Sequence, residues 1–118
     1  MPSSKTITIF HNPRCSKSRA ALALLQEKGA TLDIVEYLKT PPSRAELAAI
    51  MKKLGMKPEA VVRKGETEFK EQYAGKTLTD GEWLDALAAH PVLIERPIAV
   101  RGERAVLGRP PENVLSLL

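Results

Sequence analysis

The stretch K-T-I-T-I-F-H-N-P-R-C-S, residues 5 to 16, decides the fold. Lys5 to Phe10 alternate polar and apolar residues until the last pair and are rich in β-branched side chains, which predicts a strand. His11-Asn12-Pro13-Arg14 is expected to break it into a loop, because Pro13 has no N–H and biases Asn12 away from helix. A helix then begins about Cys15 or Ser16. Leu22, Leu25 and the flanking alanines carry that helix to Gly29, a C-terminal stop signal. Thr31 to Leu38 is strand-like again, so the first third reads as a βαβ unit with the right-handed crossover such units adopt.

Beyond it, Ser43 opens a capping box, S-R-A-E, and Leu47, Ile50, Met51 and Leu54 fall on one helical face. Pro58 to Val62 reads as a short helix started by proline, followed by a charged helical stretch around Phe69 to Tyr73. Thr79 opens a second capping box, T-D-G-E. Trp83, Leu84, Leu87 and Ala88 supply its buried stripe until His90-Pro91 ends the helix. Ile98 to Val100 and Arg104 to Leu107 flank Arg101-Gly102-Glu103, a hairpin signal, and Asn113 to Leu118 closes the chain as a helix. The order is β-α-β, helices, then β-β-α. A chain of 118 residues is expected to form one domain, residues 1–118.

Composition narrows the function. Apolar residues make up 43% and charged residues 27%, which is ordinary globular composition and excludes general disorder. No apolar run reaches the ~18–20 residues that span a bilayer, and Met1 to Lys5 lead in without a cleavage pattern, so a cytoplasmic, membrane-free protein is expected. The net charge of +4 is basic, yet the cations are interleaved with acids. Phe10, Tyr37, Phe69, Tyr73 and Trp83 are too few and scattered to stack bases, so nucleic acid is not the expected partner. The two histidines have no metal-ligand spacing, and no metal is assigned.

Cys15 is the only cysteine. It excludes an internal disulfide, and its position beside a helix N-terminus, among Arg14, Lys17 and Arg19, favours a thiolate nucleophile over a buried packing residue. Ser18 stands where a dithiol oxidoreductase keeps its second cysteine, so any disulfide step needs an external thiol. A phosphatase loop would need arginine at position 21, which is Ala21. Ser18 either donates to the thiolate or is an ordinary helix-surface serine. His11 either supports the thiolate, if the loop curls back, or is a structural loop residue. His90 reads as a carbonyl cap.

The segment I-F-H-N-P-R-C-S-K-S-R at 9 to 19, with V-R-K-G-E at 62 to 66, E-R-P-I at 95 to 98 and G-R-P at 108 to 110, resembles the glutaredoxin-coupled arsenate reductases of the thioredoxin fold, the ArsC-like family. Ser16-Lys17 replace the Gly-Thr of other members, which places the chain nearer a shorter subgroup. The resemblance implies an α/β, thioredoxin-like fold with a mixed four-stranded sheet. It implies that Cys15 attacks arsenate, that His11 and Ser18 assist it, and that Arg63, Arg96 and Arg109 bind the oxyanion. It further implies that no cofactor is bound, that glutathione is co-substrate and that glutaredoxin is the protein partner. Guanidinium suits this task, since it stays charged and grips tetrahedral oxyanions bidentately. Arg96 stands out because it precedes Pro97 at a strand start, where thioredoxin-like folds keep a cis-proline facing the cysteine. Arg101 and Arg104 read as solvated charges at the hairpin. Two further functions share these residues: another glutathione-linked thiol transferase, and an RNA-polymerase-binding regulator, from which Ser18 departs because those regulators commonly carry C-x-x-C.

Overall fold

Alternation along β1 (Thr6–His11) sorts the strand into two faces, with Ile7, Ile9 and His11 on one and Thr6, Thr8 and Phe10 on the other. The computed structural model describes residues 6–118, so Lys5, where the strand was expected to open, lies outside it. Chain contacts divide it into two compact units: residues up to Thr40 together with Arg96–Leu118, and Pro41–Glu95.

The first unit holds the sheet. Its helix α1 (Ser16–Glu27) connects β1 to β2 (Thr31–Glu36), which pairs parallel to β1 from Thr6↔Thr31 to His11↔Glu36. Strands β3 (Ile98–Arg101) and β4 (Arg104–Leu107) form a hairpin, and β3 runs antiparallel to β1, giving the mixed order β2-β1-β3-β4. Ser18, Ala21 and Leu25 recur at helical spacing as the buried stripe of α1. Ala21 and Leu25 pack with Ile7, Ile9 and Ala99 of the sheet and with Val114 and Leu117 of a closing 3-10 helix, Pro111–Leu117. The expected stop of α1 is present: Gly29 is left-handed at φ +72, and Ala30 N–H reaches back to Leu25 O.

The boundaries differ where tertiary hydrogen bonds override local signals. β1 runs on through His11, which pairs with Glu36 and is therefore strand rather than loop. β2 stops at Glu36, because the N–H groups of Lys39 and Thr40 both turn back onto its carbonyl. The last helix is 3-10 and starts at Pro111, earlier than Asn113. Arg101 and Arg104 are not free surface charges: Arg101 Nη1 donates to Leu117 O at 2.6 Å and Arg104 Nη2 to Ser116 O at 2.5 Å. Carbonyls at a helix end have no partner within the helix, and these two cations supply one.

The second unit is helical. Both capping boxes form, Ser43 with Glu46 at the start of α2 (Arg44–Leu54) and Thr79 with Glu82 at the start of α4 (Asp80–Ala89). Between them come a 3-10 turn, Pro58–Val61, and a short α3 (Thr67–Gln72). Trp83 of α4 stacks on Phe69 with ring centroids 6.1 Å apart and meets Tyr73 at 6.0 Å. On α4 it is Ala86 that is buried with Trp83, Leu84 and Leu87, while Ala88 is half-buried. His90 places its ring edge-on to Tyr73 instead of capping carbonyls with it. No helix of the described residues is long and apolar enough to cross a membrane.

Gly108 supports the turn before β3, its N–H donating to Pro97 O at 2.8 Å. A Cβ there would stand 2.7 Å from Pro97 Cγ and 3.1 Å from Val114 Cγ1. Gly108→Ala should therefore destabilise the protein by about 1–3 kcal/mol, the usual cost of overpacking, in a urea titration. Gly65→Ala, which meets nothing within 4 Å, should leave the midpoint nearly unchanged.

Candidate active site

The odd-numbered face of β1 and the buried stripe of α1 point at each other, so His11 and Ser18 meet. Both are buried, and His11 Nδ1 lies 2.7 Å from Ser18 Oγ. Asn12 N–H donates to the same hydroxyl oxygen at 3.1 Å, which ties the end of β1 to the first turn of α1. Burial lowers the His11 pKa; Glu36 opposes that and Arg19 adds to it. His11 Nδ1 and Ser18 Oγ share one hydrogen bond, whose donor is set by the imidazole tautomer.

Cys15 is the N-cap of α1, in extended backbone geometry at φ −93 and ψ 122, and only 8% exposed. The turn that delivers it closes through Cys15 N–H to Asn12 O at 3.0 Å, and Arg14 N–H donates to Asn12 Oδ1. Burial pushes the thiol up, as it does any group that must carry charge away from water. The backbone N–H of Ser18, the Arg96 charge, the N–H of Lys17 and an Arg96 hydrogen bond act the other way, and together they bring the thiol below its ordinary value. This is helix-end stabilisation of an anion, with a thiolate as the anion.

Arg96 reaches the cysteine from the segment entering β3, and the Arg96–Pro97 bond is cis, as expected. Its Nε and Nη1 are buried. Arg109 is exposed, and its Nη1 donates to the Arg96 carbonyl at 3.3 Å, which brings it beside Arg96; the following Arg109–Pro110 bond is also cis. Arg63 belongs to the second unit, where its guanidinium pairs with Glu66 and, at 3.7 Å from Nε, with Glu95.

Sequence reasoning misplaced the source of positive potential. Among the cations, the one acting on the thiol is Arg96, not Arg14, Lys17 or Arg19; Arg19 instead donates to Pro13 O at 3.0 Å. His11 hydrogen-bonds Ser18. The signal that pointed to Arg96 was the proline after it. Nothing in the local sequence signalled that Ser18 would present its backbone to Cys15 and its hydroxyl to His11.

Because the thiolate is the reactive form, a lowered pKa moves its reactivity curve to lower pH. Iodoacetamide alkylation of Cys15 should therefore reach half its plateau below the pH of a free cysteine. Arg96→Ala should raise that midpoint. Ser18→Ala, which keeps the backbone N–H, should move it less. A wild-type midpoint at or above that of free cysteine would falsify the ionised-nucleophile assignment.

The comparisons with known proteins agree with this geometry. The ArsC family model matches residues 10–117. An arsenate reductase of Neisseria meningitidis serogroup A is 46% identical over 114 residues, covering 95% of this chain and 97% of that protein. One of Rhizobium meliloti is 44% identical over 114 residues, covering 96% and 81%. The solved structure of an arsenate reductase from Vibrio cholerae superposes with a TM-score of 0.92 at 43% identity, covering 98% of this chain and all of that one. The α/β, thioredoxin-like fold expected from the motifs is thus the fold observed, and the chain belongs to the ArsC family.

Proposed function

We propose that the protein is an arsenate reductase, a cytoplasmic oxidoreductase whose nucleophile is Cys15 and whose electrons come from glutathione and glutaredoxin. The observation that carries this reading is the placing of the sole thiol at the N-cap of α1, under the Arg96 guanidinium. The names of the Neisseria, Rhizobium and Vibrio relatives support arsenate as substrate.

In the first step the Cys15 sulfur attacks arsenic(V). An S–As bond forms, an As–O bond breaks, and oxygen leaves as hydroxide or, with a proton, as water. Arg96 and Arg109 are proposed to hold the oxyanion, donating to charge that grows on its oxygens. Arg63 keeps its substrate-binding assignment on the V-R-K-G-E resemblance alone. His11 and Ser18 are positioning residues, holding the first turn of α1 so that its N–H groups face the sulfur.

With one cysteine in the chain, reduction needs outside thiols. A glutathione thiolate replaces a second oxygen on arsenic, and a glutaredoxin thiolate then attacks the glutathione sulfur. That S–As bond breaks with its electron pair left on arsenic, now arsenic(III), and a glutathione–glutaredoxin disulfide forms. Water then displaces arsenite from Cys15 and restores the thiol.

The test is arsenite formation from purified protein, arsenate, glutathione and glutaredoxin. Cys15→Ser should abolish it. Single-turnover loss of arsenate isolates the first step: Arg96→Ala should slow it about a hundredfold, the usual loss for one donor of a preorganised anion site. Arg96→Lys should fall between, keeping charge but losing the fork. Arg101→Ala and Arg104→Ala should lower stability, through their lost carbonyl contacts, with little effect on this rate. A wild-type protein that makes no arsenite while its Cys15 alkylates readily would shift the assignment to another thiol transfer.

A further inference from the structure

The parallel strands β1 and β2 end side by side at His11 and Glu36. Ligands of α/β proteins gather at the carboxyl ends of such strands, where the departing loops leave a crevice. Here the loops are Asn12–Arg14 and the turn through Leu38 and Lys39, and between them lies a groove of about 210 Å³. Pro13 and Leu38 give it apolar walls, and Leu38 is left 45% exposed. Its charges are two cations, Arg14 and Lys39, and one anion, Glu36, which lies 3.5 Å from Lys39. The groove reaches Arg14, the residue bonded to Cys15.

We propose that this groove seats the incoming thiol co-substrate, a small zwitterionic peptide thiol with two carboxylates and one ammonium, namely glutathione. The inference rests on the function proposed above, which requires an external thiol because Cys15 has no partner cysteine in the chain. The charge count is complementary. Arg14 and Lys39 face the two carboxylates, Glu36 faces the ammonium once Lys39 is drawn to the ligand, and Pro13 and Leu38 cover the cysteinyl stem. His11 and Asn12, which also line the groove, hold the first turn of α1, whereas Arg14 and Lys39 are not among the groups that lower the Cys15 pKa, so these two charges can be varied apart from the first step.

The test is titration of the full chain with S-methylglutathione, whose blocked sulfur binds without reacting, read by amide shifts in 1H–15N spectra. Shifts should concentrate at residues 12–14 and 36–39. Lys39→Glu and Arg14→Glu should each weaken binding about fivefold, the loss of one exposed charge pair with some repulsion added, and more together. Both side chains are exposed, so the variants keep the fold, and single-turnover loss of arsenate should be unchanged in them. The proposal is overturned if millimolar S-methylglutathione shifts neither loop, or if both variants bind it like wild type. It is equally overturned if the variants impair only turnover with glutaredoxin, since the surface would then belong to that protein. Binding in the groove by a protein that reduces no arsenate would leave the groove standing and remove the substrate assignment. Arsenate reduction undisturbed by either substitution at subsaturating glutathione would do the reverse.

Discussion

Burying a thiol and keeping it ionised are opposed demands, and the first unit of the fold is arranged around meeting both. Burial of Cys15 is the largest influence on its pKa and raises it. No single group outweighs that; the first-turn N–H groups and Arg96 do so together. Each has its own structural requirement. The N–H groups need α1 to start at the cysteine, which follows from the Pro13 turn closing Cys15 N–H onto Asn12 O. Arg96 needs β3 beside β1, which follows from the antiparallel pairing of Ile98 to Val100 with Phe10 to Thr8.

The His11–Ser18 contact belongs to the same arrangement. A serine in the first turn is free to rotate its hydroxyl onto nearby backbone groups, which loosens a helix start. Here the hydroxyl oxygen accepts Asn12 N–H and shares a second hydrogen bond with His11 Nδ1, so it is engaged on both sides. Burial favours the neutral form of His11. Protonating it would place a charge on a ring that burial disfavours charging. Its lowered pKa therefore adds stability that is complete above the ordinary histidine pKa and fades as pH falls through the lowered one.

The arginines show why residue type alone is weak information. Arg63, Arg96, Arg101, Arg104 and Arg109 are one residue type with five different destinations. Arg96 turns to the thiol, Arg109 to the Arg96 backbone, Arg101 and Arg104 to the carbonyls of the last 3-10 helix, and Arg63 to Glu66 and Glu95. A long flexible cation takes whichever acceptor the fold brings within reach, and local sequence does not encode that acceptor.

What the sequence by itself determined is everything written in short-range rules. Alternation set β1, a strand-like run marked β2, S-R-A-E and T-D-G-E set the starts of α2 and α4, Gly29 set the end of α1, and Pro13 set the turn that puts Cys15 at a helix N-cap. The nucleophile was legible for that reason, since its activating field begins with its own helix. Tertiary structure alone decided that β1 continues through His11, because only pairing with Glu36 holds that residue extended. It also decided that Ser18 serves His11 and that Arg96, rather than the neighbouring Arg14, Lys17 or Arg19, supplies the charge. Those outcomes depend on which distant side chains packing brings within a few ångströms, in surroundings where a buried charge is felt strongly and a solvated one hardly at all.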